Sequence, residues 1–79
     1  MSKLKEFENL LTDILKCSKD DLKDENGPDQ IPNWDSITHM EMVSKIEEAF
    51  NIQLDVDEIN QIETIGAMKE VLKKHGLKL

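Results

Sequence analysis

The chain has 79 residues, enough for one domain spanning 1–79 with a core between helices, but too few to enclose a deep private active site. Seventeen Asp and Glu against ten basic residues leave a net charge of −7, which argues against nucleic acid as a partner and suits basic protein surfaces. Cys17 is the single cysteine, so neither an intramolecular disulfide nor a zinc site built on cysteine pairs is available. Its expected role is a small, buried or half-buried side chain with no reactive duty. The start of the sequence, Met1 to Glu6, lacks the apolar run of a signal peptide, and no stretch approaches membrane-spanning length. A cytoplasmic monomer is expected.

The first element is a helix ending at about Lys16, with Ser2 as its cap. Leu4, Phe7, Leu10, Leu11, Ile14 and Leu15 recur at helical spacing and mark its buried face. From Cys17 to Trp34 the periodicity fails. Asp20, Asp21 and Leu22 suggest a brief turn with Leu22 dipping into the core, and Asn26-Gly27-Pro28 and Ile31-Pro32 are turn signals. An eighteen-residue connection is long for so small a domain, and loops of that length are commonly functional.

The longest helical pattern follows, from Asp35 to Phe50. Asp35 is positioned to cap it, and Ser36 falls in its first turn, at the positive end of the helix dipole. Ile37, Met40, Val43, Ile46, Ala49 and Phe50 trace one face, with Glu41, Lys45, Glu47 and Glu48 between them. Core packing is the expected role of Val43, Ile46 and Phe50, while Ile37, Met40 and Met42 can serve either the core or an exposed docking surface. Beyond Phe50, Leu54 and Val56 are expected to point inward from a short extended segment. Asp57 then caps a helix of one to two turns, Glu58 to Ile62. Thr64 caps the last helix, whose apolar positions are Ile65, Met68, Val71 and Leu72, and Lys69, Lys73, Lys74, His75 and Gly76 close it. The fold class is therefore all-α: a small four-helix bundle of three long helices and one short, with a long loop between the first two.

Asp35-Ser36-Ile37, followed by Met40-Glu41-Met42-Val43, Ile46-Glu47-Glu48 and Phe50, resembles the Asp-Ser-Leu signature and recognition helix of acyl carrier proteins. The length, acidity, long first loop and short tail helix fit that family's plan throughout. One departure lies in the loop: Pro28, Pro32 and Asn33-Trp34 stand where fatty-acid-type members carry apolar anchors and a small Gly-Ala-like pair. Trp34 is reminiscent of stand-alone carriers from specialised pathways; it serves either as a lid over the core or as a partner contact.

The resemblance implies that Ser36 carries a 4′-phosphopantetheine arm derived from coenzyme A, with Asp35 as the cap beside it. It implies a phosphopantetheinyl transferase as one partner. Acyl- or aminoacyl-loading ligases, synthases or transferases with basic docking patches are the others, and Asp35, Ile37, Met40, Glu41, Glu47, Glu48, Asp57 and Glu58 form the partner surface. On this reading the chain is a non-catalytic carrier of thioesters in polyketide, peptide, surface-polymer or fatty-acid biosynthesis. Charge supports such a surface, since eight acids face the single base Lys45 between Asp35 and Ile65. The alternative is a cofactor-free acidic helical adaptor for a basic partner. A hydrolytic site built from Ser36, His39 and Asp35 is disfavoured, because one surface helix offers no water-excluding pocket or oxyanion hole. His39 is expected to be solvated. No metal site is expected: the EF-hand-like start at Asp55 fails where Ile59 replaces an oxygen ligand and Asn60 replaces the turn glycine.

Overall fold

In a computed structural model that describes residues 3–77, four helices follow one another: α1 (Lys3–Leu15), α2 (Ser36–Phe50), α3 (Val56–Gln61) and α4 (Ile65–Lys74). No strand occurs among the described residues. The Ser2 cap expected for α1 lies outside them. α1 packs on α2 and α3 on α4. Phe7, Leu11 and Leu15 of α1 close on Met42, Val43 and Ile46 of α2 and on Ile65, Met68, Val71 and Leu72 of α4 in a single buried cluster.

Each long helix stops where its sequence supplies a stop. α1 ends at Leu15 and Lys16 turns the chain out at φ 55°. α2 ends at Asn51, which adopts the left-handed conformation (φ 53°) that asparagine tolerates better than most residues. α4 ends at Lys74 with His75 as its C-cap; Gly76 then turns the chain at φ 87°, and the Leu77 N–H reaches back to the Leu72 carbonyl while its side chain rejoins the core.

The long loop is tied down along its length. A 3-10 turn at Lys19–Asp21 delivers Leu22 to the core, as the sequence suggested, and Ile31 and Trp34 follow it inside. Backbone carbonyls of Asp24 and Asn26 accept the N–H groups of Gly66 and Ile65 at 2.9 Å each, so the loop itself caps α4. Asp24 also pairs with Lys69 at 2.9 Å. Asn33 Nδ2 donates to the Ile14 carbonyl at the end of α1.

Two expectations about the third helix are corrected. It begins at Val56 and is capped by Asp55, whose side chain accepts the Glu58 N–H at 2.8 Å while Glu58 Oε1 accepts the Asp55 N–H. Asp57 is therefore in its first turn and caps nothing. Val56, expected to point inward, is 70% exposed as the first helical residue, and Leu54 alone of that pair is buried.

Candidate functional site

Asp35 starts α2 from extended backbone, and its Oδ1 accepts the Thr38 N–H at 2.9 Å. Thr38 Oγ1 answers by accepting the Asp35 N–H at 2.8 Å and donating to the Asn33 carbonyl at 2.7 Å. This reciprocal bonding fixes where α2 begins. The Thr38 N–H holds the Asp35 carboxyl below the usual carboxylate range. Ser36 is thereby locked as the first residue of a fifteen-residue helix. It is exposed, and its hydroxyl makes no hydrogen bond among the described residues.

Beneath and beside Ser36 lies an open groove of about 420 Å³. Met40, one turn on from Ser36, forms one wall; Ile59 and Asn60 of α3 form the other. Trp34 and His39 make the floor. Trp34 is 3% exposed, so it belongs to the core and is not an outward contact.

His39 is not the solvated residue expected. Its ring stacks on Trp34, with centroids 6.2 Å apart. The Trp34 indole N–H donates to His39 Nδ1 at 3.1 Å, and His39 Nε2 lies 3.1 Å from the Ile59 carbonyl. An indole nitrogen only donates and a carbonyl only accepts, so Nδ1 is the bare nitrogen and Nε2 carries the proton. Both ring nitrogens are committed, and His39 has no lone pair left to take a proton from Ser36. The imidazole is instead a strut joining the loop, α2 and α3. The sequence signal that could have found it is Trp34, a buried donor needing a partner one turn into the helix.

Of the residues expected on a partner surface, Asp35, Ile37, Met40, Glu41, Glu48 and Asp57 are exposed, with Ile37 at 72% and Met40 at 51%. Two others have internal work. Glu47 Oε2 accepts the Leu54 N–H at 2.8 Å, and Glu58 Oε2 pairs with His75 Nε2 at 2.8 Å. Met42 is fully buried and contributes nothing to a surface, while Ala49, read as part of the apolar face, is exposed. Val56, missed as an exposed apolar residue, is recoverable from the Asp55-x-x-Glu58 capping pattern, which makes it the first helical position.

A family model described as a phosphopantetheine attachment site matches residues 34–72, the span from Trp34 through α4. The solution structure of a holo acyl carrier protein from Nitrosomonas europaea superposes with a TM-score of 0.77 at 28% identity, covering 95% of this chain and 96% of that one.

The chain resembles acyl carrier proteins, in the matched segment and in fold.

No curated protein matches the sequence. The matched family model is that of a phosphopantetheine attachment site, and the similar solved structure is a holo carrier protein. The junction at α2 fits that group on its own terms: an exposed, unengaged hydroxyl stands at the positive end of a long helix, where phosphate is favoured, and opens directly onto a groove.

Proposed function

We propose that Ser36 Oγ is the attachment atom of the phosphopantetheine arm and that the protein shuttles acyl or aminoacyl thioesters between cytoplasmic enzymes without catalysing their transfer. When bound, the group supplies a flexible thiol, the carrier of the thioester. The observation that carries the assignment is the fixed, exposed position of Ser36 at the capped start of α2, inside the matched family segment. The chain's own thiol is a poor substitute. Cys17 is half-buried in the first loop, and burial together with the nearby Asp21 charge pushes its thiol up.

The partner surface we propose is the exposed part of α2 and α3: Asp35, Ile37, Met40, Glu41, Glu48, Val56 and Asp57. Apolar Ile37, Met40 and Val56 supply contact area and the acids steer basic partners. Exposed ion pairs contribute only about 0.2–1 kcal/mol each, which suits weak and rapidly exchanged contacts. Glu47 and Glu58 act behind that surface by holding α3 in place. The proposed partners are a phosphopantetheinyl transferase and the enzymes that load and unload the arm. Trp34 and the loop prolines favour a specialised pathway.

Intact mass decides the assignment. Incubation with coenzyme A, magnesium and a broad-specificity phosphopantetheinyl transferase is expected to add one phosphopantetheine to the wild type and none to Ser36→Ala. An unmodified, folded wild-type protein would overturn the assignment and favour a cofactor-free adaptor.

A further inference from the structure

We propose that Thr38 and Asn33 are positioning residues for the modification of Ser36, indexing the serine to the end of α1 so that its hydroxyl meets coenzyme A in one orientation. This rests on the carrier reading above and adds to it two residues that act through the backbone on either side of the serine.

A continuous line of hydrogen bonds makes the link. Asn33 Nδ2 donates at 3.1 Å to the carbonyl of Ile14, nineteen residues back in the last turn of α1. The Asn33 carbonyl accepts the Thr38 hydroxyl at 2.7 Å, and Thr38 Oγ1 in turn accepts the Asp35 N–H at 2.8 Å. A hydroxyl has one hydrogen, and the Asp35 carbonyl and Oδ1 are both farther off at 3.2 Å, so that hydrogen goes to the Asn33 carbonyl. Between Asn33 and Asp35, the Trp34 side chain is buried in the core. The chain is thus pinned at 33, 34 and 35, just before Ser36, and again at 38. Ser36 Oγ makes no bond of its own among the described residues, so the pinned backbone sets where it stands. The Asp35 carboxylate decides where α2 begins; the Thr38 hydroxyl and the Asn33 amide decide where that beginning sits relative to α1.

The reaction makes the placement count. Ser36 Oγ forms a bond to the pantetheine-bearing phosphorus of coenzyme A. The bond from that phosphorus to its bridging oxygen breaks, and adenosine 3′,5′-bisphosphate leaves with the electron pair. The serine proton passes to a base or water on the transferase. Attacking and leaving oxygens must lie nearly in line, and a displacement of about 1 Å costs on the order of a hundredfold in rate. Met40, Glu41 and Glu48, exposed farther along α2, keep their places whether or not residue 38 carries a hydroxyl.

The test is transfer kinetics read by intact mass, with the carrier as the varied substrate. In Thr38→Val, which keeps the side-chain shape and removes the hydroxyl, kcat should fall about tenfold or more while KM stays within about twofold of wild type. Thr38→Ser, which restores the hydroxyl, should recover kcat to within about threefold of wild type. Asn33→Ala, at an exposed position, should lower kcat about threefold, and combining it with Thr38→Val should add little, since both act along one line. Thr64→Val is the control: it removes the same kind of cap from α4, where the hydroxyl accepts the Ala67 N–H at 3.1 Å, and should leave kcat unchanged. Circular dichroism establishes that each variant compared is folded, and Asn33→Ala alone decides the matter if Thr38→Val does not fold. An unchanged kcat, a loss matched by Thr64→Val, a loss carried by KM or a failure of Thr38→Ser to recover overturns the positioning role and leaves the carrier assignment standing. Failure of the folded wild type to gain mass removes both.

Discussion

At the scale of single residues, Asp35 shows how one side chain fixes where a helix begins. Its carboxylate takes the Thr38 N–H and so fixes the first turn of α2 and the position of Ser36. The same bond lowers its pKa in the folded protein relative to the unfolded chain. Its stabilising contribution is therefore complete above the ordinary carboxylate value, about 3.9, and is lost as pH falls through the depressed native value. Asp35→Ala should melt at a lower temperature than wild type at pH 7, with the gap narrowing as the pH drops below the carboxylate range. Circular dichroism melts across that range test this, and a gap constant with pH would refute it. Asp35 and Ser36 were both legible from the sequence because capping is a local, three-residue affair. His39 was not, since its partners are five residues back and twenty residues on.

Among the elements, α2 carries the clearest lesson about what periodicity leaves open. Ile37, Met40 and Met42 all fit a helix, and the side that faces the core depends on where α1 and α3 press against it. Met42 is fully buried and Met40 is 51% exposed, two positions apart. Met42→Ala should cost about 2–5 kcal/mol, a large part of the ~5–15 kcal/mol that stabilises a typical domain. Met40→Ala should fall within about 0.5 kcal/mol of wild type. Chemical denaturation measures both, and equal losses would contradict the assignment of faces. The third helix raises a different point. Six residues fall well short of the roughly 12–15 that a helix needs to persist alone, so α3 depends on its ties. Those are the Asp55–Glu58 capping box, the Glu58–His75 pair, the Glu47 carboxylate on Leu54 N–H and the His39 strut. Two acids that sequence reasoning assigned to partners are thus spent on holding α3 where Asn60 and Ile59 can wall the groove.

In the molecule as a whole, the first loop is the part that unites the helices. It caps α4 with its backbone and sends Leu22, Ile31 and Trp34 into the core. Gly27 is packed against the chain before α4: a Cβ there would collide with the Glu63 carbonyl oxygen. That contact is backbone against backbone and has no side chain to move aside. Gly27→Ala should therefore cost about 1–3 kcal/mol through displacement of the loop from α4. The expected result is a lower urea midpoint with the slope of the transition unchanged, and an unaltered midpoint would show that the loop docks differently.

The sequence alone determined the helical class, three of the four helices to within a residue or two, the long loop with its Leu22 anchor, the caps at Asp35 and Thr64, and the position of Ser36 in the first turn of α2. These depend on spacing within a few turns of chain and on local hydrogen bonds, which residue order specifies directly. Only the tertiary structure decided that His39 and Trp34 form a floor, that Met42 rather than Met40 is core, that Val56 faces water, and that Glu47 and Glu58 serve the fold. Each of those depends on a neighbour far away in the chain. A helical stripe records that one side is buried, while the packing of the other helices determines which side that is.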